Sequence, residues 1–316
     1  MSEQTNTSGP SIDHLITLSE VSPSAFQQLL STTDSLKEQQ EETDVLQNRS
    51  LALLFEKPST RTRVSFEVGI TELGGTPVTL NANEIQLSRG EPVRDTARVL
   101  SRYADAIIAR VYDHGSLEEC TKFGSVPVIN ALSDFAHPCQ AIADVFTIQE
   151  KKGDLDRVSA SFVGDGNNVC HSLMMGAALS GLSLTVATPS GYEPEDRVES
   201  SARKIGAQQS AELTVLNDPK EAVQDADVVY TDVWTSMGQE EEADQRKRNF
   251  EGFQVNDELL DLAQDDAIVM HCLPAHREEE ITDSVLESPQ SVVWQQAENR
   301  LHTQKALLTH MFQHRE

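Results

Sequence analysis

Residues 51–80 read LALLFEKPSTRTRVSFEVGITELGGTPVTL, and the period of their apolar pattern changes twice. LALLF (51–55) is an apolar run of strand length, RVSFEVGITELG (63–74) has helical spacing and closes on glycine, and TPVTL (76–80) returns to a β-branched run. Strand, helix and strand in close succession form a parallel crossover. Strands of such units are covered on both faces, so they read as continuous apolar runs.

The same alternation runs along the chain. AIIARV (106–111) and VPVIN (126–130) read as further strands, with EPVRDTARVLSRYA (91–104) as a helix. HPCQAIADVFTIQEKKG (137–153) is a longer helical stretch ending at Gly153, after which the alternation restarts. The second series is SASFVG (159–164), LTVAT (184–188), ELTVL (212–216), DVVYTDV (227–233), AIVMHCL (267–273) and SVVWQ (291–295), closed by an amphipathic helix from about Ala297. With 316 residues the chain exceeds one comfortable hydrophobic core. The expected fold is α/β, with two doubly wound domains, each a central parallel sheet flanked by helices. Their expected extents are 1–148 and 149–296, with residues 297–316 as the C-terminal helix.

Composition excludes several classes of function. Asp and Glu number 51 against 25 Lys and Arg, a formal charge of −26, which opposes binding to a phosphate backbone. No nucleic acid partner is expected. The same excess and the scarcity of lysine point to a high-salt, halophilic setting. No apolar run approaches the roughly 20 residues that span a bilayer, so no membrane association is expected. The opening MSEQTNTSGPSID has no basic region followed by an apolar core, which predicts a disordered lead-in rather than a secretory signal. Cys120, Cys139, Cys170 and Cys272 are dispersed, as befits reduced thiols in the cytoplasm. Three of them neighbour a histidine, but the spacing of zinc motifs is absent. Buried thiols without metal are the expectation.

In open parallel sheets, ligands sit beyond the carboxyl ends of the strands, and the chemistry-bearing motifs here fall at such ends. The run Ser59-Thr60-Arg61-Thr62-Arg63 leaves LALLF and enters a helix. Backbone N–H groups, hydroxyls and guanidinium forks there can converge on a tetrahedral oxyanion. A simple Ser cap with solvent-facing arginines is the plainer alternative. Residues 57–110 hold 8 Lys and Arg against 6 Asp and Glu, a basic island in an acidic chain, and no Walker loop is present. FVGDGNNVCHS (162–172) suggests a dinucleotide fingerprint, but the third glycine would fall at Val169, where close helix packing needs it. Asn167 and Asn168 instead offer amides at a helix start, whether as ligands or as caps. Asp232 suits an ammonium group, Ser236 with Met237-Gly238 suits a closing loop, and His271-Cys272 ends a buried strand.

Taken together, S-T-R-T-R, H-P-C-Q, D-V-W-x-S-M-G and H-C-L-P-A, with DTARVL (95–100) and QQAENR (295–300), closely resemble the ornithine carbamoyltransferases from about residue 12 to the C-terminus. The resemblance implies transfer of the carbamoyl group of carbamoyl phosphate to the δ-amine of L-ornithine, without cofactor or metal. The phosphate would bind Ser59, Thr60, Arg61, Thr62 and Arg110. His137, Gln140 and Arg300 would hold the carbamoyl group, and Gln86 would reach a neighbouring subunit's site. Asn168, Asp232, Ser236 and Met237 would grip ornithine's α-groups, with Cys272 and Leu273 facing the δ-amine. Arg61, His137, Cys272 and Asp232 would be the catalytic set. A homotrimer or a multiple of trimers is implied, as is a terminal helix packing back on the first domain. Aspartate, acetylornithine and putrescine carbamoyltransferases, and a non-catalytic relative, are the alternatives.

Overall fold

The computed structural model describes residues 12–39, 44–235 and 240–313. The chain divides into two compact units, one from residues 1–131 with 302–316 and the other from residues 132–301.

The first unit carries α1 (Pro23–Gln39), β1 (Ser50–Phe55), α2 (Thr60–Glu72), β2 (Thr76–Asn81), α3 (Val93–Tyr103), β3 (Ala106–Arg110), α4 (His114–Phe123) and β4 (Val128–Leu132). The strand order is β2-β1-β3-β4. β1 pairs in parallel on both sides, with Leu53 opposite Thr79 and Ile108. That double pairing explains why LALLF has no polar alternation, since both of its faces are buried. Leu54, Ile107, Ala109, Leu117 and Val128 form part of the core beneath. Each fully buried Leu or Ile contributes roughly 1.5–3 kcal/mol. α2 ends where Gly74 takes a φ of 82°, a left-handed turn that costs glycine little.

The second unit continues with α5 (Pro138–Lys152), β5 (Ser159–Val163), α6 (Asn168–Ser180), β6 (Ser183–Ala187), α7 (Asp196–Gly206), β7 (Leu213–Leu216), α8 (Pro219–Val223), β8 (Val228–Thr231), α9 (Ala243–Asn249), α10 (Asp257–Leu260), β9 (Ile268–His271), α11 (Asp283–Leu286) and α12 (Val293–Phe312). Its strand order is β7-β6-β5-β8-β9, with Phe162 paired to Val186 and Tyr230. From His302 onward α12 belongs to the first unit. There Lys305 meets Glu72 at 2.6 Å and the Arg49 guanidinium lies 5.2 Å from the Phe312 ring centroid. The terminal helix thus packs back as the resemblance implied.

One detail differs from the sequence reading. SVVWQ is not a strand, because Ser291 makes only an isolated bridge to Val269 and α12 begins at Val293, four residues before Ala297. A short apolar run does not distinguish strand from helix, and the helix formers that follow extend the helix back to the buried Val293. By compactness alone, α5 groups with the second unit.

In each sheet the connections reverse direction beside the first strand. Ligands in such folds collect beyond the carboxyl ends at that reversal. The relevant ends are Phe55 and Arg110 in one unit, and Val163 and Thr231 in the other.

Candidate active site

In the first unit the basic run forms the entry to α2. Ser59 is the N-cap, with extended backbone (φ −160°), and its hydroxyl accepts a hydrogen bond from the Thr62 N–H at 3.3 Å. Such a cap is worth about 1 kcal/mol. Thr62 is buried, whereas Thr60 and Arg61 are exposed at the helix start, where the dipole favours an anion. Arg63 is directed differently, since its Nε pairs with Glu67 one turn on at 3.0 Å. Arg110, buried at the end of β3, accepts the Glu56 N–H at its carbonyl at 2.9 Å, and Glu56 in turn accepts the Tyr112 N–H at 2.8 Å. These bonds knit the loop after β1 to the loop after β3. Lys57 is also buried, 4.5 Å from the Tyr112 ring centroid. Gln86 sits apart, exposed at the start of a short 3-10 turn, Gln86–Arg89.

In the second unit, two groups of site residues come together. The first is organised by α5. His137 is its N-cap, and the His137 N–H donates to Ser172 Oγ at 2.8 Å, while Ser172 donates to the Asn168 carbonyl at 3.0 Å. Asn168 Nδ2 donates to the Ser133 carbonyl at 2.6 Å, so the starts of α5 and α6 are tied to one another. Gln140 and Arg300 are buried and hydrogen-bonded, the guanidinium donating to Gln140 Oε1.

The second group lies beyond β5, β8 and β9. Asn167 caps α6, its Oδ1 accepting from the N–H groups of Val169 (2.9 Å) and Cys170 (3.1 Å), which leaves Nδ2 to donate to Asp232 Oδ2 at 2.9 Å. The thiol of Cys272 donates to Asp232 Oδ1, also at 2.9 Å. Asp232 is buried and Cys272 half-buried. Leu273 holds a left-handed φ of 58°, which costs about 1–3 kcal/mol outside glycine. Its N–H donates to His271 Nδ1 at 2.9 Å. Gly166 is required for a different reason, since a Cβ there would lie 2.3 Å from Pro194 N and 2.5 Å from the Glu193 carbonyl carbon. The second glycine of GDG therefore serves a close backbone approach.

Asp232, His271 and Cys272 place three donor atoms within 4.8 Å of one another. Both ring nitrogens of His271 are engaged within the protein, Nδ1 by Leu273 and Nε2 by Glu280 at 3.1 Å, and Asp232 and Cys272 bond to each other. Such a set fits internal hydrogen bonding better than metal ligation. His171 is engaged in the same way: Nδ1 donates to the Phe135 carbonyl and Nε2 accepts from the Glu195 N–H, and burial pushes its imidazole pKa down. Burial pushes the Cys120 and Cys139 thiols up to about 12 and Cys170 well above the usual range.

Ser236 and Met237 lie outside the described residues. Beside that stretch stands a buried ion pair that the sequence reading missed. Arg246 of α9, within the run QEEEADQRKR, donates through one nitrogen to Asp165 (2.8 Å) and to the Trp234 carbonyl (2.9 Å). Asp144 and Gln296, buried next to Gln140, were missed as well. The one signal for Asp144 was a carboxylate four residues after Gln140 in an otherwise apolar helix.

Known proteins resemble this chain along most of its length. Residues 13–150 match the family model of the aspartate/ornithine carbamoyltransferase carbamoyl-P binding domain, and residues 156–311 that of the Asp/Orn binding domain. The chain is 61% identical over 261 residues to the ornithine carbamoyltransferase of Acidothermus cellulolyticus, covering 83% of this chain and 84% of that one. It is 54% identical over 297 residues to that of Pyrococcus abyssi, covering 93% and 94%. The solved ornithine carbamoyltransferase of Pyrococcus furiosus superposes with a TM-score of 0.93 at 50% identity, over 98% of this chain and 100% of that one. By likeness along nearly its whole length, in sequence and in fold, the chain belongs to the aspartate/ornithine carbamoyltransferase family.

Proposed function

We propose that the protein transfers the carbamoyl group of carbamoyl phosphate to the δ-amine of L-ornithine, giving L-citrulline and phosphate in arginine metabolism. The observation that carries the choice of acceptor is Asp232. A buried carboxylate held by Asn167 and Cys272 suits a cationic amino acid and repels a dicarboxylate such as aspartate. Citrulline formed with ornithine, and no transfer to N-acetylornithine or putrescine, tests this reading.

In this account Ser59, Thr60, Arg61, Thr62 and Arg110 hold the phosphate, and His137, Gln140 and Arg300 hold the carbamoyl group. Asn168 and Asp232, with Ser236 and Met237, hold ornithine's α-amino and α-carboxylate groups. Cys272 and the Leu273 carbonyl face the δ-amine. The neutral δ-nitrogen attacks the carbonyl carbon, and the C=O electron pair moves to oxygen, where Arg61 and His137 stabilise it. Collapse of that oxyanion breaks the bond to the phosphate oxygen, and phosphate leaves into the anion site. The amine's proton goes toward the Cys272–Asp232 pair, in which the thiol donates and the carboxylate accepts. Fixed positions for both reactants supply much of the rate.

The first 148 residues act as the carbamoyl phosphate domain and residues 149–296 as the ornithine domain. The working form is a trimer or a multiple of trimers, with Gln86 completing a neighbour's site. Exposed Val64 and Val68 on α2 and Val78 on the edge strand β2 support such an interface. The excess of acidic residues supports a halophilic cytoplasm as the setting. Among the described residues no helix is long and apolar enough to cross a membrane.

A further inference from the structure

Asp144 stands on α5 one turn after Gln140 and has no exposed surface. The reaction as described makes no use of it. Its Oδ1 accepts from Gln140 Nε2 at 2.8 Å and from Gln296 Nε2 at 2.7 Å, and its Oδ2 accepts from the Tyr230 hydroxyl at 3.1 Å. Gln296 is itself oriented, because its Oε1 takes the His271 N–H at 2.9 Å.

The orientation of Gln140 follows from the chemistry of its two neighbours. A guanidinium only donates and a carboxylate only accepts. With Arg300 on one side and Asp144 on the other, the Gln140 amide has one arrangement that satisfies both, Oε1 to Arg300 and Nε2 to Asp144. Were Asp144 neutral, only the Arg300 end would still oppose the reverse arrangement, donor against donor. A carbamoyl group differs from an acetyl group in carrying N–H donors where acetyl has a methyl. Recognising it requires an acceptor, and the second lone pair of Gln140 Oε1 is one.

We infer that Asp144 is a positioning residue for substrate selection: it locks the Gln140 amide so that its carbonyl oxygen meets the N–H₂ of carbamoyl phosphate, favouring a carbamoyl over an acetyl phosphate. This rests on the assignment of Gln140 to the carbamoyl group. The groups around Asp144 are Gln140 on its own helix, Tyr230 on β8, and Gln296 with the Arg300 charge on α12. Burial, the largest influence, raises the carboxyl to about 6 against the lowering effect of those donors. Below that pH the carboxyl carries a proton and can donate to Gln140 as well as accept from it, so the lock weakens to its Arg300 end.

The test is steady-state kinetics of the full chain with both substrates across about pH 5–8, with acetyl phosphate as a competing inhibitor. Asp144→Asn should raise the KM for carbamoyl phosphate about tenfold or more, the scale of a lost hydrogen bond to a charged group. The KM for ornithine and the inhibition constant of acetyl phosphate should stay unchanged. In the unsubstituted enzyme the carbamoyl phosphate KM should climb as pH falls through about 6, and in Asp144→Asn that limb should vanish. Tyr230→Phe removes one donor from the carboxylate and should move the limb to higher pH. It keeps the test open if Asp144→Asn does not fold. An Asp144→Asn enzyme with an unchanged KM and the same acid limb, or a limb unmoved by Tyr230→Phe, overturns the inference. Gln140→Met separates the two layers. If it leaves the carbamoyl phosphate KM unchanged, the assignment of Gln140 fails and the inference with it. If it raises the KM while Asp144→Asn does not, the role of Asp144 alone is refuted.

Discussion

The thiol of Cys272 donates a 2.9 Å hydrogen bond to the carboxylate of Asp232, although forty residues separate them in the chain. The contact exists because β8 and β9 are parallel neighbours, with Thr231 paired to His271, so the next residue of each strand emerges at the same end. Asn167 secures the second oxygen of that carboxylate from the start of α6.

That pair predicts a division of labour. Asp232→Asn should lower kcat/KM for ornithine by about 10²-fold or more, the usual scale for a positioned acid or base, and leave the affinity for carbamoyl phosphate alone. Cys272→Ala should lower kcat and change its pH dependence. Steady-state rates against pH check both, and an unaltered profile in Cys272→Ala would remove the thiol from proton transfer.

The arginines of the opening motif should behave unequally. Arg61 carries no intrahelical partner role in the account, and Arg61→Ala should reduce turnover by about 10²-fold or more, as loss of a charge-stabilising donor does. Arg63 forms an exposed pair with Glu67, of a kind worth about 0.3–0.5 kcal/mol. Arg63→Ala should therefore retain most activity. Equal losses in the two variants would show the motif to be divided wrongly.

The Asp165–Arg246 pair is buried on both sides, so removing one partner is expected to cost about 3–5 kcal/mol. Burial raises the Asp165 carboxyl from the ordinary carboxylate range to about 6, with Arg246 the main opposing influence. A carboxyl raised in the folded state contributes its stability in full below the unfolded value, and that contribution is lost as pH rises through about 6. Without Arg246 the penalty on the charged form grows. Arg246→Met should then be more destabilised at about pH 8 than at about pH 5, as measured by urea unfolding. Equal losses at both would mean that Asp165 does not titrate with folding.

Thiol chemistry should single out one cysteine. Cys120, Cys139 and Cys170 are buried, while Cys272 is half-buried at the site. Iodoacetamide on the native protein should label Cys272 alone, more slowly when ornithine is bound, and all four in urea. Mass spectrometry of the labelled peptides reads the outcome directly.

Much of this was legible in the chain because its strands are central ones. LALLF and AIIAR are buried on both faces, so their apolar runs are continuous, and the site motifs follow directly at their ends. SVVWQ misled because one bridged residue at a sheet edge has the composition of a strand. The contacts that could not be read join distant segments. Asp165 meets Arg246 across 81 residues and Arg300 meets Gln140 across 160, and no local pattern encodes such pairings. Asp144 left only a faint trace, a carboxylate on a buried helix face, whose meaning depends on Gln296 and Tyr230.

The most direct measurement offers the protein carbamoyl phosphate with equal concentrations of L-ornithine and L-aspartate and identifies the products by mass spectrometry. The account predicts citrulline and phosphate in equal amounts, no carbamoyl aspartate, and loss of citrulline in Asp232→Asn. Carbamoyl aspartate as the main product, or no carbamoyl transfer to ornithine, would contradict it.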